Sequence, residues 1–247
     1  AKAREIVESV GEERSIRIVV ADKNNVIDAF REAVAKAVLE KKIDLVGRLR
    51  FRSYIYRHPE SRWAEGVSKI AELYGESVDG RKLRSVIVRA KEIGDGDRMK
   101  ADLIKKRVDA DNIVPINAEN INTPEELQEK LNKVLSQPGM IAIVAGNILN
   151  RGINTRLAES VQKAGGWLVG VNMYFDKFAA EEIQYEGRFG RAGDAGEWLN
   201  FFSVDDLLSM TQEGFESHKV LMRLKQGKET EPLPEKETLE VFNDIRN

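Results

Sequence analysis

"MIAIVAGNILNRGINTRLAESVQKAGGWLVGV", residues 140–171, sets out one repeat unit of the fold. A short β-branched run (140–146) gives way to a polar turn, then to apolar residues at helical spacing (154–164), then to a second apolar run (166–171). Two short apolar runs separated by a helical stretch are the signature of parallel strands joined by a crossover helix. Working outward, the same alternation recurs. SIRIVVA (15–21), RSVIVRA (84–90), NIVPIN (112–117) and EWLNFFS (197–203) read as strands. Residues 25–41, 62–75, 97–107, 123–136 and 176–186 read as helices. The helix at 123 has the clearest start, with Thr123 as N-cap, Pro124 in the first position and Glu126 placed for a capping box. The pattern predicts an α/β fold: a mostly parallel sheet with helices on both faces and right-handed connections. Ligands of such sheets sit at the carboxyl ends of the strands, which directs attention to loops 91–96, 118–122, 146–153 and 187–196.

The 247 residues are 42% hydrophobic, enough to bury a core in one or two domains. Charged residues reach 32%, but the net charge is only -2, so no overall field draws nucleic acid or an anionic membrane. With no cysteine, disulfides, thiolate zinc sites and a cysteine nucleophile are excluded, and a cytoplasmic location is the expectation. No apolar run is long enough to span a bilayer, and the first residues lack a signal-peptide core. A start at Ala1 fits either loss of an initiator methionine or a piece of a longer protein.

The segment "QYEGRFGRAGDAGEWLNFFSVDD" (184–206) places Arg188 and Arg191 among four glycines, ahead of an aromatic strand. A glycine-rich bend lets the backbone approach a ligand, and a planar, permanently charged guanidinium suits phosphate. The same composition also describes an ordinary surface loop whose arginines are solvated or paired with acids such as Asp194. Trp167, Trp198, Phe201 and Phe202 read as core, and Asp95 and Asp97 as a turn with a helix cap. His58 and His218 stand far apart in polar surroundings and suggest neither a metal site nor a general base. GRLRFRSYIYR (47–57) alternates as a half-buried edge strand does, although its basic and aromatic content would also suit a nucleic acid or a peptide.

The order and spacing of these segments resemble the second RecA-like motor domain of the SecA preprotein translocase ATPases. The family's arginine loop has the form Q-x-x-G-R-x-G-R-x-G-D-x-G. Here Gln184, Gly187, Arg188, Gly190, Arg191, Gly193, Asp194 and Gly196 match it. The family's preceding motif, T-N-M-A-G-R-G-T-D-I, is matched by Asn147, Arg151 and Gly152. NIVPINAEN, with Asn117 and Ala118, and IYRHPESRWAEGVSKIAELY resemble the approach to this domain. The resemblance covers roughly residues 55–206. It implies a RecA-like (P-loop NTPase or helicase C-terminal type) domain there, with an N-terminal addition at 1–54 and a helical tail with a charged linker at 207–247. It further implies that Arg188 and Arg191 are catalytic, reaching exposed across a cleft to the phosphates. Arg151 would couple nucleotide state to closure, and Gly152, Asn154, Gln184, Gly187, Gly190 and Asp194 would line the nucleotide.

Among the departures from the family, Ile153 and Asn154 replace threonine and aspartate, and Glu186 replaces an arginine. No phosphate loop occurs, since the only Gly-Lys pair, Gly227-Lys228, is followed by Glu229, and no Asp-Glu magnesium motif occurs either. The chain thus resembles half of an ATPase. ATP or ADP with magnesium would bind only with a SecA-type first motor domain, in cis or in trans. A protein substrate or a Sec-type channel would be the further partners. Two alternatives stand beside this expectation: a degenerate motor domain that serves as a protein-binding module, and the C-terminal half of a nucleic-acid helicase.

Overall fold

The computed structural model describes residues 49–56, 58–77, 80–146, 148–149, 153–174, 185, 188–189, 196–209, 221–222 and 225, with backbone alone for 49–53. The strand expected at 15–21, the helix expected at 25–41, all of that expected at 176–186 but Tyr185, and most of the tail lie outside these residues.

Among the described residues six strands form one sheet, and every pair in it is parallel. They are β1 (Leu49–Tyr56), β2 (Arg84–Ala90), β3 (Ile113–Ile116), β4 (Ile141–Ala145), β5 (Trp167–Asn172) and β6 (Gly196–Ser203). Their spatial order is β1-β6-β5-β2-β4-β3. The helices are α1 (Pro59–Gly75), α2 (Ile93–Lys105), α3 (Pro124–Ser136), α4 (Glu159–Lys163) and α5 (Val204–Leu208). This is the α/β architecture the sequence predicts, with each central strand buried on both sides as a parallel sheet requires. Among the described residues, no helix is long and apolar enough to cross a membrane.

Each face has its own core. Along α1 the apolar residues Trp63, Val67, Ile70 and Leu73 recur every third or fourth position, so they share one stripe. That stripe packs with Met99 and Leu103 of α2 on Val86, Val88, Ile143, Val171 and Phe201. On the opposite face Leu127, Leu131 and Val134 of α3 pack with Val161 of α4 on Ile87, Ala142, Val144, Leu168 and Trp198. The aromatic residues Trp198, Phe201 and Phe202 are core as expected, while Trp167 is half-buried.

Edge positions refine the sequence reading. GRLRFRSYIYR does supply a strand, β1, at the edge of the sheet among the described residues, paired with β6 from Leu49↔Gly196 to Tyr56↔Ser203. A boundary between 54 and 55 therefore falls within a strand of the sheet. The GDGD segment is not a turn: α2 begins at Ile93, and Asp95 lies in its first turn, where its carboxylate accepts from the Glu92 amide at 3.3 Å. The helix expected from 154 starts only at Glu159. Ahead of it Ile153, Thr155 and Leu157 are buried while Asn154 and Arg156 are exposed. A period of two is that of extended chain, and it delays the helix.

Candidate functional site

The strand order places a crevice between β2 and β5. The connection leaving β2 runs through α2 towards β3, whereas the one leaving β5 runs the other way, to β6. Neighbouring parallel strands whose connections diverge are where such sheets bind ligands. At this edge Arg89 is in register with Asn172, and Asn172 with Asn200. All three are buried on the face that carries Ile87, Leu168 and Trp198. The Asn172 amide donates to Asn200 Oδ1 at 3.2 Å, and the Trp198 indole donates to the same oxygen at 2.8 Å. The Arg89 guanidinium lies 3.7 Å from the centroid of the Tyr185 ring and 4.3 Å from that of Tyr174. Sequence reasoning passed over this row. Its signal was the polar residue near the end of otherwise apolar strands: Arg89 in RSVIVRA, and Asn172 just after GWLVGV.

The arginine loop rests on the same face. Tyr185 stands at the carboxyl edge, where its hydroxyl donates to the Gly146 carbonyl at 3.1 Å. Phe189 packs on Trp198 with ring centroids 4.8 Å apart, above Gly170. Between them Arg188 is 6% exposed, which corrects the expectation of an exposed side chain. Its Nη1 donates to the Ile153 carbonyl at 2.7 Å, and its own carbonyl accepts from the Thr155 hydroxyl at 2.5 Å. The extended run at 153–157 offers the Ile153 carbonyl outside any helix, and a guanidinium is a strong donor to such a group. Gly196, the last residue of the loop expected at the carboxyl edge, is the first residue of β6 and so stands at the amino end of that strand.

The other expected residues divide into two groups. Asn154 is exposed; its backbone N–H and carbonyl pair with the Gln128 amide at 2.9 Å each, and its Oδ1 accepts from the Arg156 amide at 3.0 Å. Arg151, Gly152, Gln184, Gly187, Gly190, Arg191 and Asp194 lie outside the described residues, as do Asn147 and Glu186. Loop 118–122 is closed on itself, since Asn117 Oδ1 accepts from the amides of Glu119 and Asn120. The acidic pair after the aromatic strand is structural. Asp206 accepts from the Ser203 amide and hydroxyl at 2.7 Å each and from Arg62 at 2.8 Å, while Asp205 pairs with Lys225. His58 is exposed. Among the described residues no cluster of His, Asp or Glu could hold a metal ion.

No family model matches the chain. Curated sequences that align with it are protein translocase subunits SecA. That of Thermosipho africanus is 26% identical over 171 residues, covering 69% of this chain and 18% of the relative. That of Fervidobacterium nodosum is 31% identical over 143 residues, covering 49% and 16%. That of a Sulfurovum species is 28% identical over 160 residues, covering 60% and 17%. The chain is SecA-like, and it spans less than a fifth of the length of these relatives. Among solved structures, domain 2 of the DEAD-box helicase Mss116p bound to an RNA duplex aligns with 73% of this chain and 70% of that one, at a TM-score of 0.47 and 14% identity. A likeness that slight has no bearing on function.

Proposed function

We propose that this SecA-like chain is a second motor domain of a protein translocase, one that closes on a nucleotide held by a phosphate-loop partner domain. The observation that supports it best is the docking of the arginine loop on the segment after β4, through Arg188 to the Ile153 carbonyl and Thr155 to the Arg188 carbonyl. These are the two stretches that carry the family's motifs, and here they are bonded to each other. In this reading Arg188 braces the loop and Arg191 reaches the partner's nucleotide. The chain lacks a phosphate loop, so the lysine, hydroxyl and magnesium come from the partner domain, a SecA-type first motor domain in cis or in trans. The further partners are a protein substrate or a Sec-type channel.

The inward turn of Arg188, together with Ile153, Asn154 and Glu186, favours a second reading: a motor domain that has lost catalysis and keeps its surface for docking a protein.

One experiment separates the two. The full chain is mixed with the isolated first motor domain of a SecA, and magnesium-dependent ATP hydrolysis is measured. Stimulated hydrolysis that falls on the order of a thousandfold in Arg191→Ala supports the motor reading, because that is the usual worth of an arginine finger. Hydrolysis that is not stimulated, or that is the same with alanine at position 191, rejects it in favour of the docking module.

A further inference from the structure

Arg89 is one of the largest side chains wholly removed from water in the described structure, at 1% exposure. A cation buried so deeply is costly unless its surroundings compensate it. Guanidinium is the cation whose flat faces stack on aromatic rings, and here it lies against two. The rings come from either side of one connection: Tyr174 follows β5 directly, and Tyr185 opens the turn that holds Arg188. From Tyr185 two bonds lead onward. Its hydroxyl donates to the Gly146 carbonyl, at the end of β4, and its carbonyl accepts from the Arg188 amide at 3.0 Å. Gly146 is itself tied to the sheet, its amide donating to the Ala90 carbonyl at 3.1 Å. A continuous path thus runs from the carboxyl end of β2 through Arg89 and Tyr185 to the backbone of Arg188.

We propose that Arg89 is the positioning residue of the arginine loop: by gripping the Tyr185 ring it fixes where the Arg188 turn sits relative to the crevice between β2 and β5. Its consequence for catalysis rests on the motor reading above, while its consequence for loop geometry does not.

The test uses the full chain with three substitutions. Arg89→Met keeps length and apolar bulk without charge, Arg89→Lys keeps the charge without the stacking plane, and Tyr185→Phe keeps the ring without the bond to Gly146. Amide hydrogen exchange is read at Arg188 and, as an internal standard, at Val144 and Ala145 in β4. Arg89→Met should speed exchange at Arg188 by about tenfold or more with the β4 amides unchanged, and Arg89→Lys should fall between it and the original chain. Tyr185→Phe should speed it less than Arg89→Met. Equal acceleration at β4 and Arg188 would mean that Arg89 merely supports the core, and no acceleration at Arg188 would mean that it does not hold the loop; either overturns the proposal. With the SecA first motor domain added, Arg89→Met should lower kcat and leave KM for ATP unchanged, as expected when a transition-state group is misplaced. If the unsubstituted pair hydrolyses no ATP, the motor reading fails, and the exchange data alone decide the role of Arg89.

Discussion

Arg188 was legible as chemistry but not as direction. The G-R-x-G-R spacing announces a guanidinium meant for an acceptor, yet the acceptor it finds is a carbonyl 35 positions earlier, at Ile153. No local pattern encodes that pairing. Arg188→Ala should therefore disturb folding as well as any activity, costing about 1–3 kcal/mol because it removes a charge-assisted bond and opens a buried space. A urea unfolding curve measures this. Gly170 offers a sharper case. A Cβ there would lie 2.2 Å from Trp198 Cε3 and 2.8 Å from Phe189 Cε1, and rigid rings cannot fold away from it as a methionine could. Gly170→Ala should lower stability by about 1–3 kcal/mol through overpacking. It should also alter native-state tryptophan fluorescence, since the Trp198 ring is the first that the new Cβ meets. Arg89, Asn172 and Asn200 went unread because a single polar residue in an apolar strand gives no hint of which neighbours it will meet. Only the register of three strands brings them into line.

Helices and strands were read most successfully where one period ran uninterrupted. Residues 84–90 form β2 as predicted, and α3 starts where Thr123 and Pro124 place it. The Thr123 hydroxyl accepts from the Glu126 amide at 3.2 Å, and Thr123→Ala should cost about 1 kcal/mol of stability in the same unfolding measurement. Glu126 reaches one residue beyond the expected cap, and the bond from the Asn122 amide holds its carboxyl below the usual range. Where the reading failed, two periods competed: alternating burial at 153–157 overrode helix propensity, and glycines that suggested a turn lie inside α2. The α1–α2 contact carries a pH signature. The bond from Lys105, followed by that from the Trp63 indole, keeps the Asp102 carboxyl below its ordinary value. A folded value below the unfolded one, about 3.9, adds stability above that pH and loses it as pH falls through the folded value. The difference in urea midpoint between the original chain and Asp102→Asn should therefore shrink from about pH 6 to about pH 3.

For the whole molecule, the alternation of apolar runs was enough to specify a parallel sheet covered on both faces. The order of its strands was not, because sequence periodicity records which face a residue occupies but not which strand lies beside it. Alone, the chain should show no magnesium-dependent ATP hydrolysis in a phosphate-release assay, since nothing in the sequence replaces the phosphate loop. The pairing of β1 with β6 bears on how the protein is made. Among the described residues, the first strand pairs only with the last, so the two must meet across all the intervening elements. At ribosomal speeds β1 leaves the exit tunnel on the order of ten seconds before β6 exists. During that interval its backbone donors and acceptors lack their final partner, and the sheet can close only once synthesis has passed Ser203. A ribosome stalled shortly after β5 should therefore carry a nascent chain that proteases cut readily near β1, whereas one stalled well beyond Ser203 should carry a protected chain.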